Sequence, residues 1–254
     1  MFIRFSPELG MRHLGRSSPK FYSLSLRFAL LSLALMVGGC EKEVRHSILG
    51  SHGYFKNNSV QIVSKETVDG LTVRRVRLSC DDGTSSFEEW LELDGYYGDK
   101  SAEFLAALLL DLDACETEGD TDPISIVFMN GKGGRVMDGI SIGRLLRQNG
   151  VEAVITWGQS CRASCAGAFL GASSRFMYGD SSLHFNVPFE ASFEKSVDCS
   201  DSEKWGELSD YAHEMLEEGV ARALLDDIWE ECDTQAGRAF KSTAASGIGV
   251  LSGD

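Results

Sequence analysis

The chain has no CxxC pair and no cluster of histidines, so the usual sequence signatures of a metal centre are absent and no metal or cofactor is expected. It is short of positive charge: 24 Lys and Arg face 38 Asp and Glu, a net charge of −14. Such a surface repels nucleic acid and anionic lipid headgroups. A membrane-length apolar run is missing near the N-terminus, where FALLSLALMV, Phe28–Val37, has only ten residues and a spanning helix needs about 20. Internal repeats and low-complexity segments are missing too. What is present is a chain of 254 residues, 43% of them hydrophobic, enough for a sizeable core in one large domain or two small ones.

The first forty residues read as an address. Arg16, Lys20 and Arg27 precede the short apolar run, the pattern of an exported chain. The run ends in VGGC, and Val37, two small residues and Cys40 resemble the lipobox of bacterial lipoproteins. That resemblance implies cleavage after residue 39 and a lipidated Cys40. The stretch ahead of the basic region also suits a start at Met11, with the same mature chain. Losing residues 1–39 removes five basic residues and one acid, leaving a net charge of about −18, so attachment to a membrane rests on the lipid alone. Glu41 is not the usual inner-membrane retention signal, which points to the outer membrane of a cell envelope, facing the periplasm. Six cysteines follow Cys40, namely Cys80, Cys115, Cys161, Cys165, Cys199 and Cys232. Export makes disulfides the expectation, with Cys161–Cys165 and Cys199–Cys232 the favoured pairs.

Residues 40–58 are polar and irregular, a tether. In 59–86, SVQIV and LTVRRVRLSC alternate around KETVDG, a β-hairpin ahead of the main domain, 87–254. There FEEWLELDGYY reads as a strand, SAEFLAALLLDLDAC as a helix, ISIVFM as a buried strand, VMDGISIGRLLRQNG as a helix ending at Gly150, and VEAVITW as another buried strand. Strands alternating with helices give an α/β fold with a mostly parallel sheet.

Two glycine-bearing turns, MNGKGG and GQSCRASCAGAFL, follow neighbouring strands, and their carboxyl ends form a crevice where a site belongs. A strand ending in an asparagine and paired glycines, then a helix, a strand and a serine turn followed by GAFL, with a His-x-x-x-Pro segment at His184, resembles the Clp protease proteolytic subunit of the ClpP/crotonase fold. The resemblance runs from about Leu91 to Leu251. It implies a serine peptidase with Ser164 as nucleophile, His184 as general base and Asp233 as orienting acid, the last from ECDTQAGRAFKSTAASGIG, which resembles the closing segment where an aspartate precedes a helix and a glycine-bearing strand. The backbone N–H groups of Gly134 and Cys165 would hold the oxyanion. A serine hydroxyl needs an imidazole to take its proton, and the imidazole a carboxylate to orient it. Departures from the family are Lys132 in place of a proline, Cys165 in place of a methionine, and the acidic segment FEASFEKSVDCSDSEKWGELSD in place of the handle that builds a double-ring homo-oligomer.

Other roles stand beside these. Ser164 can cap a helix. Asp180, Asp198, Asp201 and Asp210 are substitutes for Asp233. Cys161 and Cys165 are nucleophile candidates if reduced. His213 in SDYAHEMLEEG reads as a solvated helix residue, and His46 and His52 lie in the tether. The expectation is a lipid-anchored envelope serine endopeptidase acting on peptides or unfolded polypeptides, with no ATPase partner. Its rivals are an inactive binding or scaffold lipoprotein of the same fold, and acyl chemistry of the crotonase type, whose enzymes lack this Ser and His pair.

Overall fold

The computed structural model describes residues 60–79, 87–112, 116–117, 120–121, 124–185, 202–231 and 237–252. Cys40, the tether, Cys80, Cys115, the acidic segment up to Asp201, the Cys199–Cys232 pair and Asp233 lie outside the described residues.

Alternating sequence builds an antiparallel meander first. Strand β1 (Val60–Val68) turns into β2 (Leu71–Ser79) through Asp69 and Gly70, which both have positive φ, +49° and +85°. A two-residue turn of that handedness suits the twist of the flanking strands. The turn is therefore shorter than KETVDG: Lys65, Glu66 and Thr67 are strand residues, opposite Arg74, Val73 and Thr72. Strand β3 (Phe87–Tyr97) pairs with β2 from Ser79↔Phe87 to Leu71↔Gly95, so the hairpin is continuous with the main sheet. Charge reinforces this seam. Arg75 and Arg77 each give an Nε–H to the buried Glu89 at 2.8 Å, and Arg74 reaches the buried Glu92 at 3.4 Å. Carboxylates this buried would be costly without such partners.

After helix α1 (Ser101–Leu109) and a two-strand ribbon, β4 (Glu116–Thr117) with β5 (Asp120–Thr121), the chain becomes α/β. Strand β6 (Ser125–Gly134), helix α2 (Val136–Gln148), β7 (Glu152–Ile155), β8 (Ser160–Arg162), helix α3 (Ser164–Gly171), β9 (Ser174–Met177) and β10 (Ser182–Phe185) follow. Helices α4 (Ser202–Met215) and α5 (Glu218–Glu230), strand β11 (Arg238–Lys241) and the short α6 (Ser242–Gly247) end the fold. The closing segment thus runs strand then helix, because RAFK alternates and turns Phe240 into the core. The sheet runs β1-β2-β3-β6-β8-β10-β11, with β7 and β9 branching from β6. Within this sheet, every pairing beyond the meander is parallel except β10 with β11.

The branch at β6 positions the site. Ser125–Phe128 pair with β7, whereas Gly131 pairs with Cys161 of β8. MNGKGG is consequently less a turn than the frayed end of a strand, since Tyr96 and Tyr97 still pair with Gly133 and Gly134. Helices pack over one face of the sheet around Leu91, Leu93, Ile126, Phe128, Phe169 and Leu183. A smaller cluster of Val76, Trp90, Val127 and Val154 lies on the other.

Candidate active site

Helix α3 is buried along its whole length and is fixed at both ends. Glycines let it approach α2 closely: a Cβ on Gly139 would strike the Ser164 backbone, and a Cβ on Gly171 would strike the backbone of Gly143. Tyr211 of α4 seals the crossing by donating its hydroxyl to the Gly167 carbonyl at 2.8 Å. At the C-terminal end the buried Arg175 donates Nη1 to the carbonyls of Leu170 (3.2 Å) and Ala172 (2.7 Å), and Nε to Val250 (2.7 Å). A cation belongs at that pole of a helix, and burial pulls its pKa down to about 10.

At the N-terminal end β8 turns into α3 through Ala163, whose φ of +48° and ψ of −112° are rare for a residue with a Cβ. Such a conformation costs roughly 1–3 kcal/mol and persists where its surroundings enforce it. Here the Ala163 N–H donates to the His184 carbonyl at 2.9 Å, and its own carbonyl accepts from Gly167 at 3.0 Å. The Cys161–Cys165 disulfide straddles the turn, with Cα atoms 5.2 Å apart and both cysteines fully buried. Neither sulfur is a free thiol, and the expected pairing is the one observed.

The sharp turn delivers Ser164 to the first helical position. Ala163 takes the capping position and no side-chain cap is made, so the serine is not a cap. Its Oγ is buried and has no hydrogen-bond partner among the described residues, a property shared by Ser181 but here found beside a glycine strand end. Gly134 lies against it: a Cβ there would stand 2.7 Å from the Ser164 Oγ, and φ of +145° further restricts the position to glycine. The Cys165 N–H belongs to the first turn of α3, where amides have no intrahelical acceptor.

His184 is brought close by its backbone but not by its ring. In register it faces Arg162 on β8 and Ala239 on β11. Its Nε2 meets the Ser182 Oγ at 2.9 Å, and no carboxylate reaches the imidazole among the described residues. Half-burial lowers its pKa below 6.5, and the nearby Arg162 and Lys241 lower it further, so the ring is neutral at pH 7. Asp180 lies in the turn before β10, where its carbonyl accepts from Lys241 Nζ at 2.8 Å. Asp210 is on α4. His213 pairs with Glu218 at 3.0 Å, away from the turn.

No family model matches the chain, and no curated protein matches it. Among solved structures it is similar to ClpP1 from Listeria monocytogenes, at 19% identity over 63% of this chain and 86% of that one, with a TM-score of 0.45. It is also similar to a point mutant of the same ClpP1, at 17% identity with the same coverage and TM-score. The likeness is one of fold.

Two features of the site are not foreseen from the sequence. One is the Ser182–His184 contact, which an i, i+2 spacing in a strand makes available because both side chains share a face. The other is the helix crossing, signalled by glycines four apart at Gly139 and Gly143 and at Gly167 and Gly171.

Proposed function

We propose that the chain is a serine hydrolase acting on peptide bonds, with Ser164 as nucleophile and His184 as base. The observation that carries this reading is the buried, partnerless Ser164 hydroxyl, held on a strained strand-to-helix turn beside Gly134. Ser164 Oγ attacks the scissile carbonyl as His184 Nε2 takes its proton. The Gly134 and Cys165 amides receive the oxyanion, the leaving amine departs with the proton, and water activated by His184 releases the acyl group. The imidazole must first leave Ser182 for Ser164. Asp233 is the proposed acid that orients it. Treatment of the purified mature domain with a fluorophosphonate probe tests the reading: covalent labelling of Ser164 supports it, and a chain that stays unlabelled sinks it. A second reading, a binding protein of the same fold without activity, is favoured by the engagement of His184 with Ser182 rather than Ser164.

The pH profile supplies an independent check. Because the folded pKa of His184 lies below 6.5, the working neutral base is fully formed above pH 6.5 and is lost as pH falls through the lowered value. Protonation of the ring should therefore give kcat/KM an acid limb, with its midpoint below 6.5. Stability should follow the same sign, falling in that window because the unfolded chain takes up the proton more readily. A kcat/KM profile with no acid limb contradicts this assignment of the base, whereas a midpoint above 6.5 means that the Asp233 carboxylate has come beside the ring and raised its pKa.

We also propose that the mature chain is anchored to an envelope membrane through Cys40. Mass spectrometry of the native N-terminus should find a diacylglyceryl-modified Cys40 and nothing before it; an intact Gly39–Cys40 bond refutes the anchor.

A further inference from the structure

The charge next to Ser164 runs against the charge of the chain. Arg162 and Lys132 are both exposed, and they stand on segments that run side by side. Gly131 pairs with Cys161, and a Cβ on Gly133 would stand 3.6 Å from the Ala163 Cβ and 3.8 Å from the Arg162 carbonyl. Arg162 also shares a sheet face with His184, its partner in register. Lys241, opposite Ser182 in the next strand pair, adds a third cation to that face.

The described arginines elsewhere are all engaged. Arg74, Arg75 and Arg77 hold the carboxylates of β3, and Arg135 holds Asp138 at 2.9 Å. Arg144 holds Glu214, Arg147 the Met215 carbonyl, Arg222 Glu218 and Arg238 Glu231, while Arg175 is buried among carbonyls. Among the described residues Arg162 has neither ion pair nor hydrogen bond. In a chain of net charge −14, an arginine left open among the described residues, two positions before the candidate nucleophile, is a vacancy for an acid from outside. A guanidinium takes a carboxylate through two parallel hydrogen bonds, which fixes the acid's orientation as well as its charge. The acidic remainder of the surface would repel the same ligand, so the local positive field concentrates it at the turn.

We propose that this site accepts peptides carrying a carboxylate next to the bond to be cut, and that Arg162, assisted by Lys132, is the group that recognises it. The inference rests on the Ser164 reading and narrows its substrate to acidic peptides. The carboxylate comes either from an Asp or Glu side chain or from a free C-terminus.

Binding, rather than turnover, separates this inference from the one beneath it. Mature protein carrying Ser164→Ala retains both cations, and its affinity is measured by fluorescence anisotropy for labelled peptides that differ only as Glu against Gln at each position, each with a free or an amidated C-terminus. The acidic member should bind about tenfold tighter than its neutral match, the size of a charged hydrogen bond partly exposed to solvent. The gap should narrow as salt rises from ~20 mM to ~500 mM. Preference for Glu whatever the terminus identifies a side-chain acid as the ligand, and preference for the free terminus whatever the side chain identifies the chain end. Adding Arg162→Gln should erase the preference, Arg162→Lys should restore part of it, and Arg162→Glu should turn it toward Lys-containing peptides. Equal affinities across the panel, or a preference that survives Arg162→Gln together with Lys132→Gln, overturn the inference whether or not Ser164 reacts with fluorophosphonate. The labelling result in turn judges the nucleophile whether or not acidic peptides bind.

Discussion

Replacing Ser164 by alanine should abolish fluorophosphonate labelling and lower any peptidase activity at least about a thousandfold, since removing the nucleophile leaves only binding and oxyanion stabilisation. The same substitution should leave the fold intact and its thermal midpoint unchanged or slightly higher. Ser164 Oγ makes no hydrogen bond among the described residues and is buried, so alanine deletes no bond and relieves an unsatisfied hydroxyl. A clear fall in the midpoint would mean that the hydroxyl is structural. The adduct in the unmodified chain should map by mass spectrometry to Ser164 and not to Cys165, whose sulfur is committed to Cys161. An adduct on any other residue refutes the nucleophile.

The largest effect on stability is expected at Gly171. A side chain there would enter the backbone of Gly143, striking its Cα, carbonyl carbon and oxygen, none of which can rotate away. Gly171→Val should cost at least about 3 kcal/mol, the upper end for overpacking a core, and should deplete soluble folded protein. Gly219 gives the contrast within the same molecule. It lies in the first turn of α5, where an added methyl would meet nothing within 4 Å, and Gly219→Ala should raise stability by about 0.5–1 kcal/mol through the helix preference for alanine. Urea denaturation of the two variants decides both. If Gly171→Val unfolds at the same urea concentration as the unmodified chain, the close α2–α3 crossing does not exist.

Much of this architecture is written in local patterns. FEEWLELDGYY alternates and becomes β3 from its first residue to its last, and VMDGISIGRLLRQNG carries apolar residues at helical spacing and stops at Gly150, so α2 ends two residues before it. The serine turn and the glycine strand end are recognisable because glycines and a Ser between apolar runs mark where a strand gives way to a turn. Less legible is what depends on distant partners. In SAEFLAALLLDLDAC the apolar run continues past the helix, yet α1 ends at Leu109 and leaves Leu110 85% exposed, because the end is set by how much surface the sheet offers. Strand β9 is only four residues, too short for alternation to distinguish it from a loop. The ring orientation of His184 is a choice between rotamers that backbone pattern does not encode. The Arg162 vacancy is visible only once every other described arginine has found its partner.

The meander also has a meaning in time. Strands β1, β2 and β3 join neighbours in sequence, the first pair through two residues, and such contacts close quickly because little loop entropy is spent. Every parallel pairing that follows must wait for a crossover; β6 reaches β3 only after α1 and the β4–β5 ribbon have been traversed. The bond between Ala163 and His184 comes later still, requiring β10 to settle beside β8. On this order the meander supplies a ready edge on which the slower half of the sheet assembles, and the turn bearing Ser164 becomes strained only when its last neighbour arrives, so the candidate site is among the final things the chain acquires.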